Sequence, residues 1–120
     1  MDTKEIEKVI QDYFDAGNTA DGEKMANVFH EVAHLYAVDE QGGLVNWDID
    51  FFSKRVSSTE LGFPQYNEIL SIDFTGENSA VARVKVRVRD TIFTDILSFL
   101  RLGGQWKIIA KVFTGVPADQ

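Results

Sequence analysis

The chain of 120 residues carries 19 acidic and 12 basic side chains, has a formal net charge of −7, and contains no cysteine. Its length and its 44% hydrophobic content predict one compact domain over residues 1–120. The lack of cysteine excludes disulfides, cysteine-bound metals and thiol nucleophiles. The acidic balance disfavours nucleic acid and anionic membranes as partners. No apolar run reaches the length of a signal peptide or a membrane span, so we expect an unprocessed cytoplasmic protein.

The first half of the chain has the pattern of three helices and one hairpin. Apolar residues three and four positions apart give the first predicted helix a single apolar stripe: Ile6, Val9, Ile10, Tyr13 and Phe14. Acidic residues that can cap a helix precede each helical segment: Asp2 in a capping box with Glu5, then Asp21, then Asp48 or Asp50. A turn predicted at residues 40–43 joins two short strands, Leu35–Val38 and Leu44–Trp47.

The second half changes to the alternating pattern of β-strands. Four strands are predicted: Tyr66–Thr75, Ala80–Arg89, Ile92–Leu102 and Gln105–Phe113. The segments between them are short and rich in turn formers, which favours an antiparallel meander. Helices followed by a meander predict an α+β domain in which the helices pack on one face of the sheet.

The predicted turns also fix which residues share a face of the sheet. Two-residue turns at Asp90-Thr91 and Gly103-Gly104 place Asp95 opposite Val86 and Val112. The face predicted to receive the helices collects these residues: Ala82, Val84, Val86, Asp95, Leu97, Phe99, Trp106, Ile108 and Ala110. The opposite face collects a mixed set: Arg83, Lys85, Arg87, Arg89, Ile96, Leu100, Ile109, Lys111 and Phe113. Since an outer face that is half apolar is unusual for a monomer, we expect a homodimer through the sheet.

The two histidines of the chain frame the segment His30-Glu31-Val32-Ala33-His34, which matches the metalloprotease pattern H-E-x-x-H. On a helix, this spacing lets two imidazoles bind Zn²⁺ while the glutamate activates water. A third ligand about 20 residues further on is absent, since Lys54 stands there. The predicted strand Leu35–Val38 also conflicts with a helix through His34. We therefore expect no bound metal, and a zinc metallopeptidase remains an alternative hypothesis.

The last strands carry the most specific pattern of the chain. Thr94-Asp95 is followed by an apolar strand and Gly104, and then by Trp106-Lys107-Ile108 and Lys111-Val112-Phe113. With the Phe29-His30 pair, this segment resembles the NTF2-like (nuclear-transport-factor-like) superfamily, and more narrowly its SnoaL-like and "putative lumazine-binding" branch. The resemblance implies a cone in which a strongly curved sheet wraps the N-terminal helix, with a pocket at the open end. It also implies dimers formed through the sheet, and Phe29-His30 at the end of the second helix.

The resemblance further implies ligand binding, or lyase, isomerase or hydrolase chemistry without a cofactor. The candidate pocket residues are Tyr13, His30, Tyr36, Trp47, Asp95 and Trp106. Isomerases of the superfamily use a carboxylate base on the first strand, with a tyrosine and a protonated aspartate as oxyanion donors. Tyr13 and Asp95 match the two donors, but the position of the base falls near Ala37, two residues before Asp39. Binding of a small molecule, catalysis on it, and a dimerisation module without ligand all remain open at this point.

Overall fold

The computed structural model describes residues 2–118, which form three helices and six strands. The helices are α1 (Lys4–Asn18), α2 (Gly22–Val28) and α3 (Ile49–Ser57). The strands are β1 (Phe29–Val38), β2 (Leu44–Asp48), β3 (Asn67–Gly76), β4 (Ser79–Val88), β5 (Thr91–Leu102) and β6 (Gln105–Pro117). No helix among these residues is both long enough and apolar enough to cross a bilayer.

All six strands belong to one sheet in the order β2-β1-β6-β5-β4-β3. Every neighbouring pair is antiparallel except β1 and β6, which run parallel. The apolar stripe of α1 is buried, with Ile6 and Ile10 fully inaccessible to solvent. It belongs to the same core as the inward side chains of β4, β5 and β6. The α+β class and the curved sheet around the first helix are therefore as predicted.

Two of the three predicted helix caps are present. The carboxylate of Asp21 accepts a hydrogen bond from the Lys24 backbone N–H at 3.0 Å, and that of Asp48 accepts one from Phe51 at 2.8 Å. The predicted capping box at Asp2 is wrong. The N-cap of α1 is Thr3, and the Asp2 carboxylate instead accepts from the N–H of Lys4 at 2.9 Å.

The second helix ends at Val28, just before the Phe29-His30 pair at which the resemblance implied its end. Phe29 has φ −100° and ψ 155°, which is extended backbone, and it begins β1. His30 and His34 therefore lie on a strand. Their imidazoles do not have the helical arrangement in which this motif binds zinc. The Nδ1 atom of His30 accepts from the N–H of Val32 at 3.1 Å, while that of His34 lies 2.6 Å from Asn46 Oδ1. Within residues 2–118, no three His, Asp or Glu side chains gather at one point.

The β5–β6 hairpin is predicted correctly at its turn and wrongly beyond it. Arg101 pairs with Trp106 and Phe99 with Ile108 as expected, but Ser98 pairs with Ala110 rather than Ile109. The extra residue between these pairs is a β-bulge, which reverses the alternation of the strand beyond it. Lys111 and Phe113 therefore belong to the inner face, not the predicted outer face.

The turn between β4 and β5 lies one residue earlier than predicted, which moves each strand partner by two residues. Val88 pairs with Thr91, so the turn residues are Arg89 and Asp90, and Arg89 has a positive φ of 54°. Asp95 consequently lies opposite Val84 rather than Val86. Because side chains alternate with a period of two, a shift of two residues preserves the face. This is why the predicted inner positions of β4 and β5 are buried in spite of the wrong partners.

Candidate functional site

A cavity of about 690 Å³ lies between the helices and the inner face of the sheet. Six of its lining residues are aromatic: Tyr13, Phe14, Trp47, Phe52, Phe93 and Phe113. Tyr13 and Lys111 are buried and mark its inner end, whereas Arg55, Glu60 and Arg89 are exposed and mark its mouth. The lining therefore combines apolar walls with a few polar groups, as is typical of small-molecule sites.

The inner end of the cavity holds a buried chain of three polar side chains from α1, β5 and β6. The hydroxyl of Tyr13 donates to Asp95 Oδ2 at 2.6 Å. Lys111 Nζ donates to the hydroxyl oxygen of Tyr13 at 2.6 Å and lies 3.8 Å from Asp95 Oδ2. Asp95 is fully buried, and its Oδ1 atom has no hydrogen-bond partner among residues 2–118. Tyr13 thus links the buried cation to the buried anion.

Aromatic rings enclose the ammonium group of Lys111. Its Nζ lies 4.6 Å from the ring centre of Phe52, 5.1 Å from that of Tyr13 and 5.2 Å from that of Phe113. An ammonium within about 6 Å of an aromatic ring is attracted by the negative charge of the ring face. Lys111 has three N–H donors, and Tyr13 takes one of them. The other two have no hydrogen-bond partner within residues 2–118, although Asp95 Oδ2 lies 3.8 Å from Nζ.

Burial and charge shift the pKa values of two of these groups. Burial lowers the pKa of Lys111 below its usual 10.5, and the nearby Asp95 carboxylate opposes part of that change. Burial, reinforced by Asp95, raises the pKa of Tyr13 well above 10. Tyr13 therefore keeps its proton at neutral pH. The proton of Lys111 is held less firmly than that of a surface lysine, which is an arrangement often found where proton transfer takes place.

The structure separates the six predicted pocket residues into two groups. Tyr13 and Trp47 line the cavity, and Asp95 lies behind Tyr13 and holds its hydroxyl. The other three are not among the lining residues: His30, Tyr36 and Trp106.

The physical reason differs for each residue outside the cavity. Tyr36 stacks on His34, with ring centres 6.1 Å apart, because both follow the alternation of β1 away from the core. Trp106 is buried edge-on against Phe74 at 5.9 Å, in the part of the core near the β5–β6 turn. His30 is half-buried where β1 begins and bonds to the backbone of its own strand.

Sequence reasoning missed Lys111, which it placed on the outer face. The bulge that turns Lys111 inward leaves no mark in the apolar pattern, since Ile109 and Ala110 are both apolar. The only available signal was the Lys111-Val112-Phe113 segment, which is part of the resemblance.

The carboxylate base of the isomerases has no counterpart at the expected position on β1. Ala37 occupies the expected position and pairs with Val45. Asp39 lies in the following turn, where its Oδ1 accepts from the N–H groups of Gln41 at 3.0 Å and Gly43 at 2.8 Å. The carboxylate of Asp39 thus stabilises the turn, and the chain has two donors at the inner end without the strand base.

Comparison with known proteins identifies the family. The family model described as putative lumazine-binding matches residues 1–114. An NTF2-like protein of unknown function from Shewanella baltica is 25% identical, with a TM-score of 0.87 over 95% of this chain and 93% of that one. A second such protein, from Methylobacillus flagellatus, is 27% identical, with a TM-score of 0.83 over 94% and 90%. The fold is also shared with a "putative scytalone dehydratase" from Novosphingobium aromaticivorans, at 21% identity and a TM-score of 0.72 over 95% and 83%.

No curated protein shows significant sequence similarity to the chain. The family match spans nearly the whole sequence, and the structural matches extend over both the helices and the sheet. The chain therefore belongs to the putative lumazine-binding family of the NTF2-like superfamily.

Proposed function

We propose that the protein binds a small planar molecule in the aromatic cavity and holds one oxygen atom of that molecule against Lys111. The observation that carries this proposal is Lys111, a lining residue whose Nζ lies 4.6 Å from the ring centre of Phe52 and makes one hydrogen bond within residues 2–118. A buried cation with unused donors is costly unless an acceptor meets it. A carbonyl, enol or phenol oxygen supplies that acceptor, and the surrounding rings supply apolar contact.

The role of Asp95 in this proposal is to position the other two groups. Because its Oδ2 atom accepts the hydroxyl proton of Tyr13, the lone pairs of the tyrosine oxygen are directed toward Lys111. Asp95 is absent from the cavity lining, so we expect it to hold Tyr13 rather than to touch the ligand.

The direct test is a thermal-shift and calorimetric titration with neutral planar compounds: lumazine, coumarin and 2-naphthol. We expect at least one of them to stabilise the wild type, and Lys111→Met to abolish the effect. The matched control is Lys85→Met, which changes a lysine on the other face of the sheet, at a position whose neighbours Val84 and Val86 point inward. Equal binding to wild type and Lys111→Met, or no binding of any of the three, would contradict the proposal.

A second candidate function is a cofactor-free isomerase or lyase that acts on a carbonyl compound. The lowered pKa of Lys111 favours it, because an ammonium that holds its proton weakly is a good partner for a developing enolate oxygen. The putative scytalone dehydratase that shares the fold is consistent with chemistry of this class. Against it stands the missing base on β1. The test is NMR of 2-tetralone in D₂O, in which catalysis appears as faster exchange of the α-protons with wild type than with Lys111→Met.

The zinc metallopeptidase is not proposed, because the motif that suggested it lies on β1 rather than on a helix.

A further inference from the structure

The charged residues around the cavity have the opposite balance from the chain as a whole. Among residues 2–118, four basic residues line it, but only one acidic residue does. The basic residues are Arg55, Arg87, Arg89 and Lys111, and the acidic one is Glu60. A cleft lined mainly by one sign of charge raises the local concentration of ions of the other sign. The cavity is therefore suited to an anion, although the protein is acidic.

Arg55 is the basic residue at the mouth without a carboxylate partner among residues 2–118. Arg89 lies 3.4 Å from Glu60, and Arg87 lies 3.9 Å from Asp90. Arg55 instead lies over the ring of Trp47, with its guanidinium carbon 4.7 Å from the ring centre. A guanidinium that stacks on a ring uses only its flat face for that contact. Its N–H groups point outward along the edge, where two of them can bind a carboxylate with parallel hydrogen bonds.

Arg55 and Lys111 border the same group of aromatic rings from opposite ends of the cavity. The ring of Trp47 lies 5.4 Å from that of Phe113 and 6.5 Å from that of Phe52. Lys111 Nζ is close to these same two rings, at 5.2 Å and 4.6 Å. A planar molecule packed on this group can thus present one polar end to the exposed cation and the other to the buried one.

Building on the proposed function, we infer that the ligand is a planar carboxylic acid with a second oxygen at its far end. Arg55 binds the carboxylate at the mouth, and Lys111 receives the second oxygen at the inner end. Arg55 is then the residue that selects an anionic ligand over a neutral one of the same shape.

The test compares two compounds of nearly the same shape and different charge, 6-hydroxy-2-naphthoate and 6-hydroxy-2-naphthamide, by isothermal titration calorimetry. We expect the acid to bind the wild type at least tenfold more tightly than the amide. We expect Arg55→Gln to weaken the acid to the level of the amide and to leave the amide unchanged. Lys54→Gln is the control, because Lys54 precedes Arg55 on the same helix, is 75% exposed and pairs with Asp50. It should preserve the preference for the acid.

Two results would overturn the inference: equal affinity of the acid and the amide for the wild type, or a preference for the acid that persists in Arg55→Gln. In the first case, loss of both compounds in Lys111→Met would show that the cavity binds planar molecules while the charge assignment is wrong. If neither compound binds the wild type at millimolar concentration, the inference and the proposed function both fail for this class of molecule.

Discussion

Replacing Asp95 by Asn removes a buried charge and little else. The side chain keeps its shape, and its Oδ1 atom can still accept the hydroxyl proton of Tyr13. Lys111, however, loses the carboxylate that lies 3.8 Å from its Nζ. Breaking a buried ion pair from one side costs about 3–5 kcal/mol when the remaining charge stays ionised. The cost is smaller where that group can give up its proton, so we expect Asp95→Asn to lower the free energy of unfolding by about 2–4 kcal/mol at pH 7.

The double variant Asp95→Asn/Lys111→Met separates the charge pair from the packing. Methionine removes the buried ammonium and fills much of the same volume, so the second substitution relieves what the first one imposes. We expect the double variant to be more stable than the sum of the two single changes by at least about 1 kcal/mol, which is within the usual range for groups in contact. Urea denaturation followed by far-UV circular dichroism measures the free energy of unfolding of the wild type, both single variants and the double variant. Additive effects would refute the coupling of Asp95 and Lys111.

The pH dependence of the stability of Asp95→Asn tests whether Lys111 is the charge that loses its partner. Asp95 raises the pKa of Lys111, so its removal leaves burial to lower that pKa further. Between this lowered pKa and about 10.5, the unfolded chain binds more protons at Lys111 than the folded one, and stability rises with pH. The deficit of Asp95→Asn relative to wild type should therefore shrink from pH 7 toward pH 9. A deficit that grows over this interval would contradict the assignment of Lys111 as the stranded charge.

Three further predictions concern the packing, the assembly and the histidines. Gly22→Ala should destabilise the fold by about 1–3 kcal/mol, because a Cβ there overlaps the backbone oxygen of Ser53 on α3. Gly17→Ala on α1 is the control, since its Cβ would lie 3.9 Å from Met25, and it should be neutral or stabilising in the same urea titration. The wild type should be a dimer through the outer face of the sheet, where Ile96 and Val112 pair and are 41% and 47% exposed. Ile96→Asp should give monomers by light scattering. A monomeric wild type at micromolar concentration would refute the interface. Purified protein should carry less than stoichiometric zinc by elemental analysis and keep its melting temperature in chelator; one zinc per chain, lost with the stability, would restore the metallopeptidase hypothesis.

The α+β class was accessible from local signals in the sequence, whereas the cone was expected from the family resemblance. The apolar stripe of α1, the caps at Asp21 and Asp48, and the Gly103-Gly104 turn each depend on a few neighbouring residues. The inner positions of β4 and β5 were also predicted, since an error of two residues in register leaves the face unchanged.

The candidate site was less accessible, because it depends on one irregularity. The bulge in β6 places Lys111 beside Asp95, and it places Phe113 in the cavity wall. Regular alternation predicts the outer face of the sheet for both Lys111 and Phe113. His30 and Tyr36 lie outside the cavity lining for a related reason, since the start of β1 and its path along the sheet are set by pairing with β6 rather than by local pattern. Tyr13 lines the cavity, and its inward direction was predictable because it lies on a regular helix.

NMR of the lysine ε-carbons probes the position and environment of the Lys111 ammonium. The protein, labelled with ¹³C at these carbons, is titrated from pH 6 to pH 11 with and without 2-naphthol, and the Lys111 signal is assigned by its loss in Lys111→Met. We expect one lysine that titrates below the others and whose signal shifts when the phenol is added. A Lys111 signal that titrates with the surface lysines near pH 10.5 and ignores 2-naphthol would contradict it.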